Sequence, residues 1–370
     1  MQRRIIIGLV LIVLAAMACS PASPPPTPTT AAKAATASPT AAKPAASSPA
    51  TPPPAQVKLK VGIVGTMSDG ANLVAYKKGY FKEQGIDVEF IRFDTGAKMI
   101  APLGTGELDA GRGVIGAGLF NAVLRGLDIK VVADAYSSPS TKVTKDYAGI
   151  VVRKDLADQI KTEKDLKGKN VAITGKGIAA EIELQKLLEK GGLTDKDINL
   201  SYIGHADGLA ALASKSLDVY VGLSEPFLTS GMDKNIISYW MGFPDVYPGH
   251  TFSVLLYSSK LAKETPEVAK RYMEAYLKGI RDYYDAFFKN KNKKEVVAIL
   301  AEMTDIKDVA LYDSMVAPNV NPDGYVSVET VATDAKWFFD SKQIDKPVEV
   351  KQVVDNSFLD SAIQRLGKYK

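Results

Sequence analysis

Val57-Lys-Leu-Lys-Val-Gly-Ile-Val-Gly65, followed by Ser68-Asp69-Gly70, decides the reading of the fold. The stretch alternates apolar and polar side chains and then runs apolar, as a strand entering a buried sheet does, and Ser-Asp-Gly follows as a turn or helix cap. Downstream the alternation continues: a helix over 71–84 stopped by Gly85, a strand over 86–93, a helix over 97–104, a short strand over 108–110, a helix over 119–125 and a strand over 129–135. Beyond it, strands are expected at 149–152, 170–174, 199–203 and 218–223, with helices at 179–190 and 207–214. Such spacing predicts a mostly parallel sheet covered on both faces. After one more strand, 251–257, only helices follow: 267–288, 294–303, 328–340 and 356–366. The first of these carries Val268, Tyr272, Tyr276, Ile280, Tyr283 and Phe287 at steps of three and four, an apolar face expected to pack on the first lobe.

A faint internal repeat divides this pattern. Leu103-Gly-Thr-Gly-Glu-Leu-Asp-Ala matches Leu212-Ala-Ser-Lys-Ser-Leu-Asp-Val, so that Leu108 and Leu217, and Asp109 and Asp218, hold equivalent places. Residues 57–370 also exceed the roughly 250–300 residues that one core supports. Two lobes are therefore expected: residues 57–138 with 245–370 as the first and 147–240 as the second, joined by crossings at 139–146 and 241–244.

The first 56 residues differ in kind. Arg3 and Arg4 precede an apolar run from Ile5 to Ala18, too short to span a bilayer as a helix, which takes about 20 residues. Residues 1–18 read as a signal peptide. Leu14-Ala-Ala-Met-Ala-Cys19 resembles the lipobox of bacterial lipoproteins, which implies acylation of Cys19 and a lipid-anchored protein on the extracytoplasmic side of the cell membrane. Residues 20–56 are Pro, Ala, Thr and Ser with few other types, a composition that cannot offset ordering entropy, and read as a stalk. Cys19 is the only cysteine, so no disulfide or cysteine metal site is expected.

Charge excludes one class of partner. Four of the 46 basic residues (Arg3, Arg4, Lys33, Lys43) lie before residue 57, which leaves 42 against 42 acidic ones. Nucleic-acid binding needs a surplus that residues 57–370 lack. Catalytic signatures are also missing from the sequence: His205 and His250 are far apart, and neither Gly-x-Ser-x-Gly nor a phosphate-binding Gly-x-x-x-x-Gly-Lys-Ser/Thr occurs. Gly111-Arg-Gly113-Val-Ile-Gly116 has the form of a dinucleotide fingerprint, but only a short strand precedes it. Close backbone approach at a crevice accounts better for these glycines. No cofactor, no metal and no enzymatic activity are expected.

Helix N-termini at strand ends present free N–H groups that suit carboxylate, sulfonate, phosphate or ring carbonyl groups. The loops that qualify supply the candidate binding residues: Thr66, Ser68 and Asp69; Thr95 and Gly96; Ile115 and Gly116; Gly175, Lys176 and Ile178; and Glu225 at a strand end. Tyr136, Ser137 and Trp240 fall where the crossings between lobes are expected, and aromatic rings there would stack on a planar ligand.

Four motifs in order carry a family resemblance: Ala75-Tyr-Lys-Lys-Gly-Tyr-Phe-Lys-Glu-Gln-Gly-Ile-Asp-Val-Glu, Leu103-Gly-Thr-Gly-Glu-Leu-Asp-Ala, Asp165-Leu-Lys-Gly-Lys-Asn-Val-Ala and Leu217-Asp-Val-Tyr-Val-Gly-Leu-Ser-Glu-Pro-Phe. Together they resemble the solute-binding proteins of ABC importers in the nitrate, sulfonate, taurine and thiamine-pyrimidine group. The resemblance implies an α/β type II periplasmic-binding fold, two lobes around a ligand cleft with a helical C-terminal cover. It implies a monomer that closes on a solute and then docks on a permease served by an ATPase. Sulfonate binders of the group carry a Gly-Glu-Ala-Pro-Pro-like stretch where this chain has Gly113-Val-Ile-Gly-Ala-Gly-Leu. With Tyr136, Tyr202, Trp240 and Phe243 near the crevice, a planar vitamin or precursor, riboflavin or a pyrimidine, is the expected solute. The alternatives are an alkylsulfonate, taurine or nitrate, or a ligand-sensing lipoprotein.

Overall fold

The computed structural model describes residues 55–370, so the signal peptide, Cys19 and most of the stalk lie outside the described residues. Ten strands form two five-stranded sheets. In chain order they are β1 (Val57–Ile63), β2 (Ile86–Arg92), β3 (Ala110–Val114), β4 (Lys130–Ser137), β5 (Ala148–Arg153), β6 (Asn170–Ile173), β7 (Asn199–Tyr202), β8 (Val219–Ser224), β9 (Ile237–Gly242) and β10 (Thr251–Tyr257). The first sheet has the order β2-β1-β3-β10-β4 and the second β7-β6-β8-β5-β9.

Each sheet is mostly parallel, as the alternation predicts, with four of its five strands running one way and a single strand, β10 in the first and β5 in the second, running against them. β1 runs parallel to β2 and β3, but β10 is antiparallel to both β3 and β4; β6 runs parallel to β7 and β8, while β5 is antiparallel to β8 and β9. The cause is connectivity. The chain leaves the first sheet after β4 and re-enters it through β10, and a strand arriving from the other sheet meets its neighbours head to tail. β9 was not expected at all, and it runs through Gly242, past the start of the 241–244 crossing. Trp240 therefore lies inside an edge strand of the second sheet and not in a crossing.

The repeat noticed in the sequence has a physical basis. Asp109 Oδ2 accepts from Lys60 N at 2.8 Å while its own N–H donates to Lys60 O at 2.9 Å. Asp218 does the same to Asn170 in the other sheet, at 2.9 and 3.0 Å. Each aspartate thus pins the start of a central strand to its parallel neighbour, and the leucine before it, Leu108 or Leu217, is buried beneath.

The long helix Pro266–Phe288 crosses behind the first sheet. Its Tyr272, Tyr276, Ile280 and Tyr283 are buried, as the periodicity predicts. Contact is close because Gly279 has no side chain: a Cβ there would lie 2.1 Å from Ala71 O on the helix Gly70–Lys77. Tyr272 Oη donates to Asn72 Oδ1 (2.6 Å) and Tyr276 Oη to Asp134 O (3.0 Å), which satisfies two phenols that burial would otherwise penalise.

Candidate functional site

The sheets meet along a seam at their strand ends. Gly116 and Ile178 form an isolated antiparallel bridge, and Ala117 N donates to Gly177 O at 2.9 Å. A Cβ on Gly116 would lie 2.4 Å from Gly177 O, so this glycine is what lets the two backbones touch. The other two glycines of the apparent fingerprint do something else. Both sit inside β3, where a Cβ would meet Met99 Sδ at 3.0 Å (Gly111) or Leu256 Cδ1 at 2.3 Å (Gly113). They are packing glycines, and no phosphate loop is built around them. Ile115 is fully buried beside the seam, and Gly175 has open space apart from Ile178. Lys176 lines a groove of about 390 Å³ with Glu181, Tyr202, Trp337 and Gln343 from the two sides of the seam.

The first lobe's helix N-terminus is occupied from within. Asp69 Oδ2 accepts from Gly65 N (2.7 Å), Thr66 N (2.9 Å) and Val64 N (3.2 Å), so the donors expected to face a ligand are turned onto their own capping aspartate. Arg112 then closes the group, with Nε on Asp69 Oδ1 (3.3 Å), Nη1 on Ser253 Oγ (3.3 Å) and Nη2 on Thr66 Oγ1 (3.1 Å). The sequence expectation misses Arg112 because its strand ends at residue 110; β3 runs over Ala110–Val114, and a charge inside a buried strand must find a partner. Ser68 lies beside the buried Tyr147 phenol. Thr95 precedes the short helical turn Gly96–Met99, and Gly96 packs against the backbone of Arg112 and Gly113. Gly177 N likewise donates to Glu181 Oε2 (2.7 Å).

Glu225 is a junction, not a free carboxylate. It takes Lys145 Nζ (2.9 Å), Thr229 N (2.9 Å), Thr229 Oγ1 (2.8 Å) and Val316 N (3.2 Å), tying a crossing, the second lobe and the C-terminal cover together. Ser137 Oγ donates to Asp134 Oδ1 (2.8 Å) and lies 3.1 Å from Thr251 Oγ1. Tyr136 stacks on Phe252 and meets Tyr147 edge-on, both with centroids 5.1 Å apart, and Phe252 stacks in turn on Phe243 at 4.8 Å. Trp240 stands apart from this layer, on the wall of a groove of about 430 Å³ shared with Lys142, Thr144, Tyr239, Met241 and Asp245. The candidate residues thus fall into a seam (Ile115, Gly116, Gly175, Lys176, Ile178), a floor (Thr66, Ser68, Asp69) and a crossing layer (Tyr136, Ser137, Glu225), with Thr95 and Gly96 beside β3 and Trp240 outside all of these.

The crossing layer contains a buried triad that the sequence did not reveal. His250 Nδ1 lies 2.7 Å from Glu183 Oε1 and Nε2 lies 2.9 Å from Asp334 Oδ2, all three side chains fully buried. Burial alone would lower the imidazole pKa, but Asp334 and Glu183 outweigh it and raise it from 6.5 to about 9. Burial lifts Glu183 from 4.5 to about 7 and Asp146 from 3.8 to about 7. The signs agree. His250 contributes stability that is complete below about pH 6.5 and is lost as pH rises through about 9. Glu183 and Asp146 hold their protons more tightly when folded, so their contribution fades as pH climbs towards about 7. Denaturant unfolding is expected to show greater stability at pH 6 than at pH 9; a flat or rising profile over that range would count against the assignment.

Comparison with known proteins places these features in a family. Residues 70–286 match the family model described as NMT1/THI5 like. Over 322 residues the chain is 26% identical to a protein of Bacillus subtilis named for aliphatic sulfonate binding, covering 83% of this chain and 88% of that one. Among solved structures, the nitrate-binding protein NrtA of Synechocystis PCC 6803 superposes with a TM-score of 0.67 at 14% identity, covering 84% of this chain and 89% of that one. The aliphatic sulphonate binding protein SsuA of Escherichia coli does so with 0.65 at 20% identity, covering 82% and 99%. These likenesses show a periplasmic binding-protein fold of two α/β lobes.

Proposed function

The chain belongs to the NMT1/THI5-like family, and from that premise we propose that it is the extracytoplasmic solute-binding protein of an ABC importer. It captures a small solute between its lobes and hands it to a membrane permease driven by an ATPase. One observation carries the reading: two lobes joined by two crossings meet through bare backbone at Gly116 and Gly177, a contact that can form and break as a unit. The lipobox-like stretch ending at Cys19 supports a lipid anchor on the outer face of the cell membrane.

For the solute, the names of the relatives favour the sulfonate or nitrate class over the riboflavin or pyrimidine expected from the aromatic supply. Geometry weakens the stacking argument too. Phe243 is buried against Phe252, Trp240 is in an edge strand, and Tyr202 is 44% exposed on the outer groove, so these rings are not arrayed along one open slot. Calorimetry and thermal shift on protein stripped by unfolding and refolding, with alkylsulfonates, taurine, nitrate, riboflavin and an aminopyrimidine, test the proposal. A cognate solute at a hundred times its Kd adds about 2.7 kcal/mol of stability. The expected result is a shift with a sulfonate; no shift with any of the panel would remove the proposed solute class.

A further inference from the structure

The second lobe's helix Ala179–Lys190 packs on two sides. Its Leu184, Leu187 and Leu188 are buried with Val171, Ile173 and Val221 of their own sheet. Ile182, fully buried, is the one residue of 147–240 in the core that holds Val254, Leu256, Val331 and Phe338 of the first lobe. Glu183 follows it and meets His250, whose other ring nitrogen is taken by Asp334. Both of these partners belong to the first lobe. His250 N donates to Ser138 Oγ (3.1 Å) and Ser138 N to His250 O (2.8 Å), next to the pairing of β10 with β4. Asp334 lies on the helix Val328–Asp340, whose Phe338 packs on Phe120 with centroids 6.0 Å apart. The 2.7 Å contact of His250 with Glu183 therefore crosses between lobes, whereas the 2.9 Å contact with Asp334 stays within one.

Titratable groups surround Glu183 from several elements. Lys186, on its own helix, sits 4.2 Å over the Tyr247 ring, and Tyr247 and His250 come from the chain entering β10. Asp334 and, near Tyr247, Glu329 come from the helix Val328–Asp340; Tyr136 and Asp146 come from β4 and the first crossing. Glu183, His250 and Asp334 are all 0% exposed. With Glu183 protonated, the imidazolium and the Asp334 carboxylate cancel and the triad is neutral. With Glu183 ionised the triad carries a net negative charge, which is costly inside and is relieved when that carboxylate reaches water.

We infer that Glu183, His250 and Asp334 are positioning residues for capture: they form a latch that fastens the second lobe to the first and takes up a proton as the lobes come together. The inference rests on the lobe motion proposed above, and the solute need not touch the triad. Its sign follows from linkage. Burial raises Glu183 from 4.5 to about 7 in the joined lobes, and parting them returns the carboxyl towards its ordinary value. The joined form thus binds more protons, so closure is favoured at low pH and fades as pH rises through about 7. Between pH 6 and pH 8.5 the closure constant is expected to fall about 10-fold.

Hydrogen exchange at the Ala117 amide, which donates across the seam to Gly177 O, tests this in the stripped full chain with Cys19 replaced, corrected for the intrinsic exchange rate at each pH. No solute is needed. The amides of the buried β4 residues Val131, Val132 and Ala133 read unfolding of the whole chain and are expected to be better protected than Ala117 throughout. In the parent, protection at Ala117 is expected to fall about 10-fold from pH 6 to pH 8.5. Glu183→Gln, which keeps the shape of the protonated carboxyl and cannot ionise, is expected to hold the pH 6 value at both to within about 3-fold. Asp146→Asn, which removes the neighbouring carboxyl also raised to about 7, is expected to leave the fall in place. A flat profile in the parent, a fall that persists in Glu183→Gln, or one that vanishes in Asp146→Asn overturns the latch and leaves the importer reading standing. Protection at Ala117 equal to that in β4 means that the lobes part only when the chain unfolds, which overturns the latch and the capture of a solute between moving lobes alike.

Discussion

Replacing Gly116 by valine is expected to weaken solute binding by about 10- to 100-fold while leaving the unliganded protein as stable as before. The nearest atoms to a Cβ at this position are Gly177 O at 2.4 Å, then Gly177 C and Ile178 Cα at 3.5 Å, and all three belong to the opposite side of the seam. They are backbone, so no rotamer change relieves the overlap. Gly116 itself has φ 176° and ψ 171°, an extended conformation that valine adopts without strain, and its own lobe does not object. The cost therefore falls on the closed arrangement alone. Overpacking typically costs about 1–3 kcal/mol, and that cost is subtracted from the solute's binding free energy. Calorimetry on a solute that the parent protein binds, with melting of the unliganded variant as the control, reads both halves. Unchanged affinity would mean that the contact between Gly116 and Gly177 is no part of the liganded state.

Removing the His250 side chain is expected to cost about 3–5 kcal/mol of folding stability. His250→Ala leaves Glu183 and Asp334 facing each other with no cation between them, and both side chains are wholly buried. Breaking a buried ion pair by deleting one partner is far more costly than replacing the whole group, because a charge remains without compensation. Each of the two carboxyls already keeps one oxygen unpaired, so no local donor can step in. Two further results follow from the same cause. Adding Glu183→Gln to His250→Ala is expected to recover part of the loss, since it removes one of the stranded charges. The loss is also expected to be smaller at pH 5 than at pH 8, because Glu183, raised by burial to about 7, is protonated at the lower pH. Denaturant melts of the single and double variants at both pH values measure this; a loss below about 1 kcal/mol, or one independent of pH, contradicts the triad's role.

Much of the lobe architecture was legible because its strands are short apolar runs bounded by turn residues, and because a helix such as Val328–Asp340 announces both its ends. The pairing of Leu108–Asp109 with Leu217–Asp218 was legible for a physical reason: the same carboxylate-to-backbone clasp is needed wherever a central strand starts beside its parallel neighbour. What escaped had weaker local signals. β9 is an edge strand whose middle residues are only partly buried, so it lacks an apolar run, and its tryptophan drew attention as a ligand contact instead. The direction of β5 and β10 depends on how the chain travels between sheets, which no local pattern encodes.

The candidate site shows the same division. Loops were found where strand ends meet helix starts, but the donors they offer are taken by Asp69 and Glu181, and the Thr66-x-x-Asp69 spacing of a capping box was the readable warning. Arg112 escaped because the expected strand stops at residue 110, whereas β3 runs from Ala110 to Val114 and places this charge inside it. Glu183, His250 and Asp334 are separated by scores of residues on different elements, and a lone histidine in a loop gives no hint of two carboxylates converging on it.

The central claim is that the two lobes close on a solute. With Cys19 replaced, spin labels at Lys98 in the first lobe and Tyr202 in the second would report the distance across the seam by pulsed electron resonance, in stripped protein and again with a saturating solute. The account predicts a shift of the distance distribution to shorter values on binding, reached only at about 10- to 100-fold higher solute concentration when Gly116→Val is introduced. An identical distribution with and without bound solute would contradict it.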